Sequence, residues 1–215
     1  MGGPVNASPR EAVLLLHGAW MNPVVMSYLA HVLRGEGFAV HTLGYRTIRD
    51  PLEAHLARVA KRVAQIEAPA VHLVGHSLGG VIVMRYLQRL ADQRIRRAVL
   101  LGAPVAGCRA AADFAGHAGG ELMMGQSLAV WREPVDVSVD SRFEVGSIAG
   151  TRALGLGAVV TRLPAPNDGV VCVDETRFPA MRDHIEVPTG HSVMLVSSRV
   201  ARQMVSFLKN GVFHR

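Results

Sequence analysis

Ala70-Val71-His72-Leu73-Val74, followed at once by Gly75-His76-Ser77-Leu78-Gly79, is the stretch on which the reading of this chain turns. A short, almost continuous apolar run breaks into a Gly-x-Ser-x-Gly turn. It leaves that turn as a pattern with Val83, Met84, Leu87 and Leu90 along one face. This predicts a buried strand, a sharp turn and a helix. A serine that is to act as a nucleophile must be carried at the apex of such a turn with its hydroxyl exposed. Glycines two residues to either side let strand and helix approach closely enough. The helix N-terminus behind the serine places a positive dipole where negative charge develops. With 22 glycines in the chain, roughly 0.1 such motifs are expected by chance, and one occurs. An inert serine on a glycine turn is the plainer reading, and the strand–turn–helix setting favours reactivity over it.

Outward from that turn, apolar runs alternate with helical patterns, the signature of an α/β fold with a mostly parallel sheet flanked by helices. Ala12–Leu16, Phe38–Leu43, Ile95–Leu101, Phe143–Ala149 and His184–Val187 read as further strands. Asn22-Pro23 reads as an N-cap with proline at the first helical position, leading to Val25, Leu29, Val32 and Leu33 as a buried stripe that Gly35 or Gly37 ends. Asp50-Pro51-Leu52-Glu53 reads as a capping box with Asp50 as the cap. Leu52, Leu56, Val59, Val63 and Ile66 follow at spacings of four and three. Ser198 is the expected cap of a last helix carrying Val200, Met204, Phe207 and Leu208, closed by Asn210-Gly211. Residues 1–215 are expected to form a single domain. The Gly/Ala-rich stretch 103–139, with weak periodicity, is a possible small cap or lid; its Met123, Met124 and Gly125 fit a pliable apolar cover or ordinary core filling.

Composition narrows the function classes. The chain is 49% hydrophobic and 19% charged with mean hydropathy +0.23, enough apolar content for a large core, which excludes disorder. Two cysteines, Cys108 and Cys172, cannot frame a disulfide scaffold and are expected to be reduced thiols without metal-ligand spacing. No apolar run approaches the roughly 20 residues of a membrane helix. The first ten residues show no charged and then apolar leader pattern, so a cytoplasmic location is expected, and Asn6-Ala7-Ser8 is a chance glycosylation sequon. The net charge of +6 invites a nucleic-acid reading. Its arginines are scattered, however, with Arg58-Lys61-Arg62 and Arg94-Arg96-Arg97 the densest groups, and aromatics make up only 5%. No nucleic-acid partner is expected. No Gly-rich phosphate loop follows the first strand, so no nucleotide cofactor is expected either, and no metal.

A serine needs a base to become nucleophilic, and the base needs an acid to orient it. His191 follows Pro188-Thr189-Gly190 in the loop beyond a strand's carboxyl end, where active sites of parallel sheets lie. It is favoured over His184, which opens the strand. His17 and His76 read as local structure. Asp168, in the irregular Pro166-Asn167-Asp168-Gly169, is the leading acid; Asp140, Asp174, Glu175 and Asp183 stay open as rivals, and an ordinary Asp-Gly turn is the plain alternative. Leu16-His17-Gly18-Ala19-Trp20 leaves the first strand through a glycine turn. The backbone N–H groups of Ala19 and Leu78 are candidates for an oxyanion hole. Trp20 and Met21 are candidate acyl-pocket residues, with a generic buried aromatic as the even alternative.

Taken together, Leu16-His17-Gly18, Val74-Gly75-His76-Ser77-Leu78-Gly79-Gly80, Asn167-Asp168-Gly169-Val170-Val171 and Gly190-His191-Ser192 resemble the α/β-hydrolase superfamily in the order Ser77…Asp168…His191. More narrowly they resemble small bacterial lipases and esterases related to the GPI-inositol-deacylase-like branch. The resemblance spans essentially the whole chain. It implies an α/β-hydrolase fold with a minimal cap, Asp168 as the acid, and Ala19 as an oxyanion donor. It also implies cleavage of a small-molecule carboxylic ester through an acyl-enzyme on Ser77, with no cofactor. A thioesterase, amidase or acyltransferase would use the same residues, and a hydrolase-fold binding protein would keep them without turnover.

Overall fold

Every residue of strand β1 (Ala12–Leu16) is fully buried, as a strand covered on both faces requires. Leu14 and Leu16 face one apolar layer while Val13 and Leu15 face another, so period-two alternation feeds two cores. The computed structural model describes residues 10–90, 92–132, 140–153 and 163–215. Around β1 stand β2 (Ala39–Leu43), β3 (Val71–His76), β4 (Ile95–Leu101), β5 (Glu144–Gly150) and β6 (Asp183–Val187), all parallel in the order β2-β1-β3-β4-β5-β6. This is the α/β-hydrolase arrangement, a six-stranded parallel sheet flanked by helices.

Helices α2 (Leu52–Ala64) and α3 (Leu78–Arg89) cover one face, with Leu56, Val59 and Val63 against Leu14, Leu16 and Leu73. Helices α1 (Ser27–Gly35) and α7 (Ser198–Asn210) cover the other, where Leu29, Leu33, Met204 and Phe207 meet Val13, Leu15 and Val99. Three short helices, α4 (Arg109–Ala115), α5 (Gly120–Met124) and α6 (Ser127–Arg132), follow β4 and have a small core of their own in Ala111, Met124 and Leu128. They make up the described part of the expected cap; residues 133–139 of that stretch and the Asn6-Ala7-Ser8 sequon lie outside the described residues.

The sheet changes direction between β1 and β3: the chain passes from β1 to β2 on one side, then from β3 to β4 on the other. Parallel sheets open a crevice at the carboxyl ends of such a pair. Leu16 pairs with Gly75 there, so the loops after β1 and β3 emerge side by side.

Several local expectations are corrected. Asp50 does not cap α2; Pro51, extended at φ −72° and ψ 163°, occupies that position, and the Asp50 carboxylate lies 3.4 Å from Arg58 instead. The proline displaces the helix start by one residue. Ser197, not Ser198, caps α7, its hydroxyl accepting the Val200 N–H at 3.4 Å. Helix α3 has no single buried face: Leu78 through Leu87 are all buried, while Leu90 is 49% exposed. A helix covered by sheet on one side and by α2 on another shows no amphipathic period. Asn22 does accept the Val24 N–H at 3.0 Å, although the turn it opens, Pro23–Met26, is a 3₁₀ turn that precedes α1.

Candidate active site

Ser77 sits between β3 and α3 with φ 53° and ψ −121°, a left-handed backbone that a side chain adopts only under constraint. The constraint is close packing. A Cβ on Gly75 would lie 2.5 Å from the Gly79 backbone, and one on Gly79 would lie 2.5 Å from the Leu16 carbonyl. Gly80, which the sequence pattern did not single out, is equally bound: its Cβ would stand 2.4 Å from that of Ala103. Strand and helix therefore meet where no side chain fits.

The loop after β1 lies against this turn. A Cβ on Gly18 would reach within 3.2 Å of the Ser77 Cβ. Trp20 is the other non-glycine among the described residues with a positive φ, at 56°. Its N–H donates to Thr47 Oγ1 at 3.1 Å, and the buried Tyr45 hydroxyl donates to the His17 carbonyl. The His17 and Tyr45 rings stack at 4.3 Å. Tyr45 and Thr47 thus hold the loop from beneath, and neither was anticipated. Their position just past the carboxyl end of β2 is the signal that could have found them. The N–H groups of Ala19 and Leu78 have no hydrogen-bond acceptor among the described residues. Leu78 opens α3, whose first N–H groups have no intrahelical acceptor.

Asp168 and His191 come together from loops after β5 and β6. His191 Nδ1–H donates to Asp168 Oδ2 at 2.8 Å, and the His191 backbone N–H donates to the Asp168 carbonyl at 2.9 Å. The other carboxylate oxygen, Oδ1, accepts from Val170 N–H at 2.9 Å and Val171 N–H at 2.7 Å. Both side chains are buried. Because Nδ1 carries its proton toward the carboxylate, Nε2 of a neutral His191 is left as the acceptor. The rivals are engaged elsewhere. His184 bonds Thr176 at 3.0 Å, and burial, helped by Arg177, pulls it down to about 4. Asp174 pairs with Arg109, Asp140 with Arg142 and Asp183 with Arg215, while Glu175 accepts the N–H groups of Cys172 and Arg109.

His76 links the two halves. Its Nε2–H donates to the His191 carbonyl at 3.1 Å, and the two rings are 4.6 Å apart. Burial first, and the neighbouring His191 second, hold its basicity well below the ordinary imidazole range, so His76 is neutral.

These parts share one cavity of about 470 Å³. Gly18, Ala19, His76, Ser77 and His191 line it with Trp20, Met21, Phe114, Met123 and Trp131 among the apolar neighbours. Trp20 is not the generic buried aromatic: it is 59% exposed, donates from Nε1 to the Met123 carbonyl at 3.2 Å and meets Phe114 edge-on at 5.8 Å. Met123 is exposed and Met124 buried, so one belongs to the cavity rim and the other to the cap core as well. Cys108 and Cys172 are free thiols, and burial pushes Cys108 up to about 12. Among the described residues no group of His, Cys, Asp or Glu is placed to hold a metal ion.

The model of the alpha/beta hydrolase family matches residues 13–203. The chain belongs to the α/β hydrolase family. Among solved structures, the mature lipase BlEst2 of Bacillus licheniformis is 17% identical, with a TM-score of 0.75 over 97% of this chain and 94% of that one. A lipase-esterase related protein of Clostridium acetobutylicum is 18% identical, with a TM-score of 0.66 over 95% of each. A bromoperoxidase of Bacillus anthracis is 16% identical, with a TM-score of 0.68 over 94% and 93%. At these identities the likeness is one of fold, and the fold carries more than one chemistry. No curated protein matches this sequence.

Proposed function

We propose that this α/β hydrolase family member is a serine hydrolase that cleaves a small-molecule carboxylic ester through an acyl-enzyme. Ser77 Oγ attacks the ester carbonyl carbon while His191 Nε2 takes the hydroxyl proton. Asp168 holds the imidazole tautomer and stabilises its cation. The N–H groups of Ala19 and Leu78 stabilise the oxyanion of the tetrahedral intermediate. Collapse breaks the bond to the alcohol oxygen, which leaves with the proton from His191. Water then attacks the acyl-enzyme, giving its proton to His191, and Ser77 leaves with that proton as the acid is released. Trp20 and Met21 line the space for the acyl chain.

The observation that carries this reading is the 2.8 Å His191–Asp168 bond opening onto the same cavity as a strained, glycine-flanked Ser77. The lipase and esterase names among the structural relatives support it. The motifs around Ser77, Asp168 and His191 favour the small bacterial lipase and esterase group related to the GPI-inositol-deacylase-like branch. We read residues 1–215 as one domain with α4–α6 in its cap. Two free thiols accord with a reducing, cytoplasmic setting, and no described helix is long and apolar enough to cross a membrane.

A fluorophosphonate probe on the folded chain, with Ser77→Ala as control, tests the assignment. Labelling at Ser77 and a fall of about 10⁶ in turnover on Ser77→Ala are expected. An unlabelled protein, or a variant that keeps most of its activity, would overturn it. Matched ester, thioester and amide substrates settle which bond is preferred, with the ester expected to be fastest.

A further inference from the structure

A second cavity, of about 280 Å³, adjoins the first across a thin wall, and the two share Cys108, Ala111 and Trp131 as lining. Helix α4 forms much of the wall. Its Ala110 and Phe114 line the larger cavity, Ala112 and Ala115 the smaller, and Ala111 both. Of the three residues that border both cavities, the half-buried Trp131 on α6 is by far the largest, and it packs against both the main core and the cap core. No Asp, Glu, Lys or Arg among the described residues lines the first cavity. The second is bordered by Glu121 and Arg132, which pair with each other, and is otherwise lined by small or apolar side chains.

We propose that Trp131 sets the acyl-chain length, and that the second cavity is the subsite for the distal carbons of a longer chain when the indole is removed. The substrate class is an ester of an uncharged, medium-length aliphatic acid. This rests on the Ser77 reading above. At roughly 30 Å³ per methylene-sized group, the share of liquid volume one water takes, the first cavity holds about 15 non-hydrogen atoms and the second about 9. Allowing for the ester group and part of the alcohol leaves about 8 to 10 acyl carbons in the first cavity. Each methylene that finds apolar cover strengthens binding about fourfold, a gain that stops where the chain meets the indole.

The test compares kcat/KM for p-nitrophenyl octanoate and p-nitrophenyl myristate on the whole chain in one dispersing detergent. The wild type is expected to prefer octanoate by about tenfold or more, and Trp131→Ala to raise the myristate-to-octanoate ratio by at least about tenfold. Adding Ala112→Phe, which fills the second cavity from an exposed position, should return the ratio toward the wild-type value. If circular dichroism shows Trp131→Ala unfolded, Trp131→Leu is read in the same way. A folded variant with an unmoved ratio overturns the partition. So does a gain that survives Ala112→Phe, because the extra carbons then lie elsewhere. These outcomes leave the ester-hydrolase reading intact when Ser77 labels with fluorophosphonate and octanoate is hydrolysed. A chain that neither labels nor hydrolyses either ester overturns both.

Discussion

On the β3–α3 side of the site, Ser77 is held by what cannot be there: any side chain at 75, 79 or 80 would run into backbone or into Ala103. On the β5–β6 side, Asp168 and His191 are held by what is there, four hydrogen bonds between 2.7 and 2.9 Å that use both carboxylate oxygens and the Asp168 carbonyl. One half is steric and the other polar. Steric confinement holds a backbone in a conformation it would not choose, as the φ of 53° at Ser77 attests. Hydrogen bonds instead select a protonation state, because each donor and acceptor must face its complement.

The polar half breaks most sharply at Asp168→Asn. Val170 and Val171 N–H groups demand an acceptor at the Oδ1 position, so the amide oxygen stays there and the amide NH₂ turns to His191. Nδ1 must then accept, its proton moves to Nε2, and the base is lost; kcat should fall by about 10⁴ with the fold intact. A fall of less than tenfold would show that the tautomer is not set by this carboxylate. The steric half breaks at Gly79→Ala, whose methyl group would meet the Leu16 and His17 carbonyls at 2.5 and 2.6 Å. A loss of about 3–5 kcal/mol in urea unfolding is expected, and a loss below about 1 kcal/mol would mean that the turn yields easily.

Acid sharpens the contrast. Burial keeps the imidazoles of His17, His55, His72 and His76 below the ordinary range, so the unfolded chain binds their protons first. Their contribution is complete above about pH 6.5 and is lost as the pH falls below it, by up to about 1.4 kcal/mol per pH unit for each group. Urea midpoints should therefore drop between pH 7 and pH 5; a flat profile would contradict these neutral histidines. The smallest expected effect is that of Thr47→Val, which removes the acceptor of the strained Trp20 N–H. About tenfold in kcat, with KM little changed and activity restored by Thr47→Ser, is the expected pattern. An equal rise in KM would place Thr47 in substrate binding instead.

The same contrast explains what could be read from the residues alone. Close approach leaves a mark on composition, because only glycine survives it, and Gly75 and Gly79 were legible on that ground. Strand Ala12–Leu16 was legible to the residue, since continuous burial demands a continuous apolar run. Hydrogen-bond partners leave no such mark. Asp168 could not be separated from Asp140, Asp174, Glu175 and Asp183 by spacing, and what distinguishes it is two backbone N–H groups and an imidazole 23 residues away. Tyr45 and Thr47 were missed because their residue types carry no mark of the bonds they make; only their place just past the carboxyl end of β2 points to them. The cap was only outlined, because its glycines and alanines carry little periodic apolar signal; three short helices share a core of three buried side chains.

His76 occupies the unspecified position before Ser77 in the Gly-x-Ser-x-Gly turn, yet its ring is committed to the loop that carries His191. Exchanging His76-Ser77 for the matching pair of another Gly-x-Ser-x-Gly turn would keep the bend and sever a tie across the crevice. Grafting or library design at this motif has to treat residue 76 as belonging to the opposite wall, and vary it together with the 188–192 loop or leave it alone.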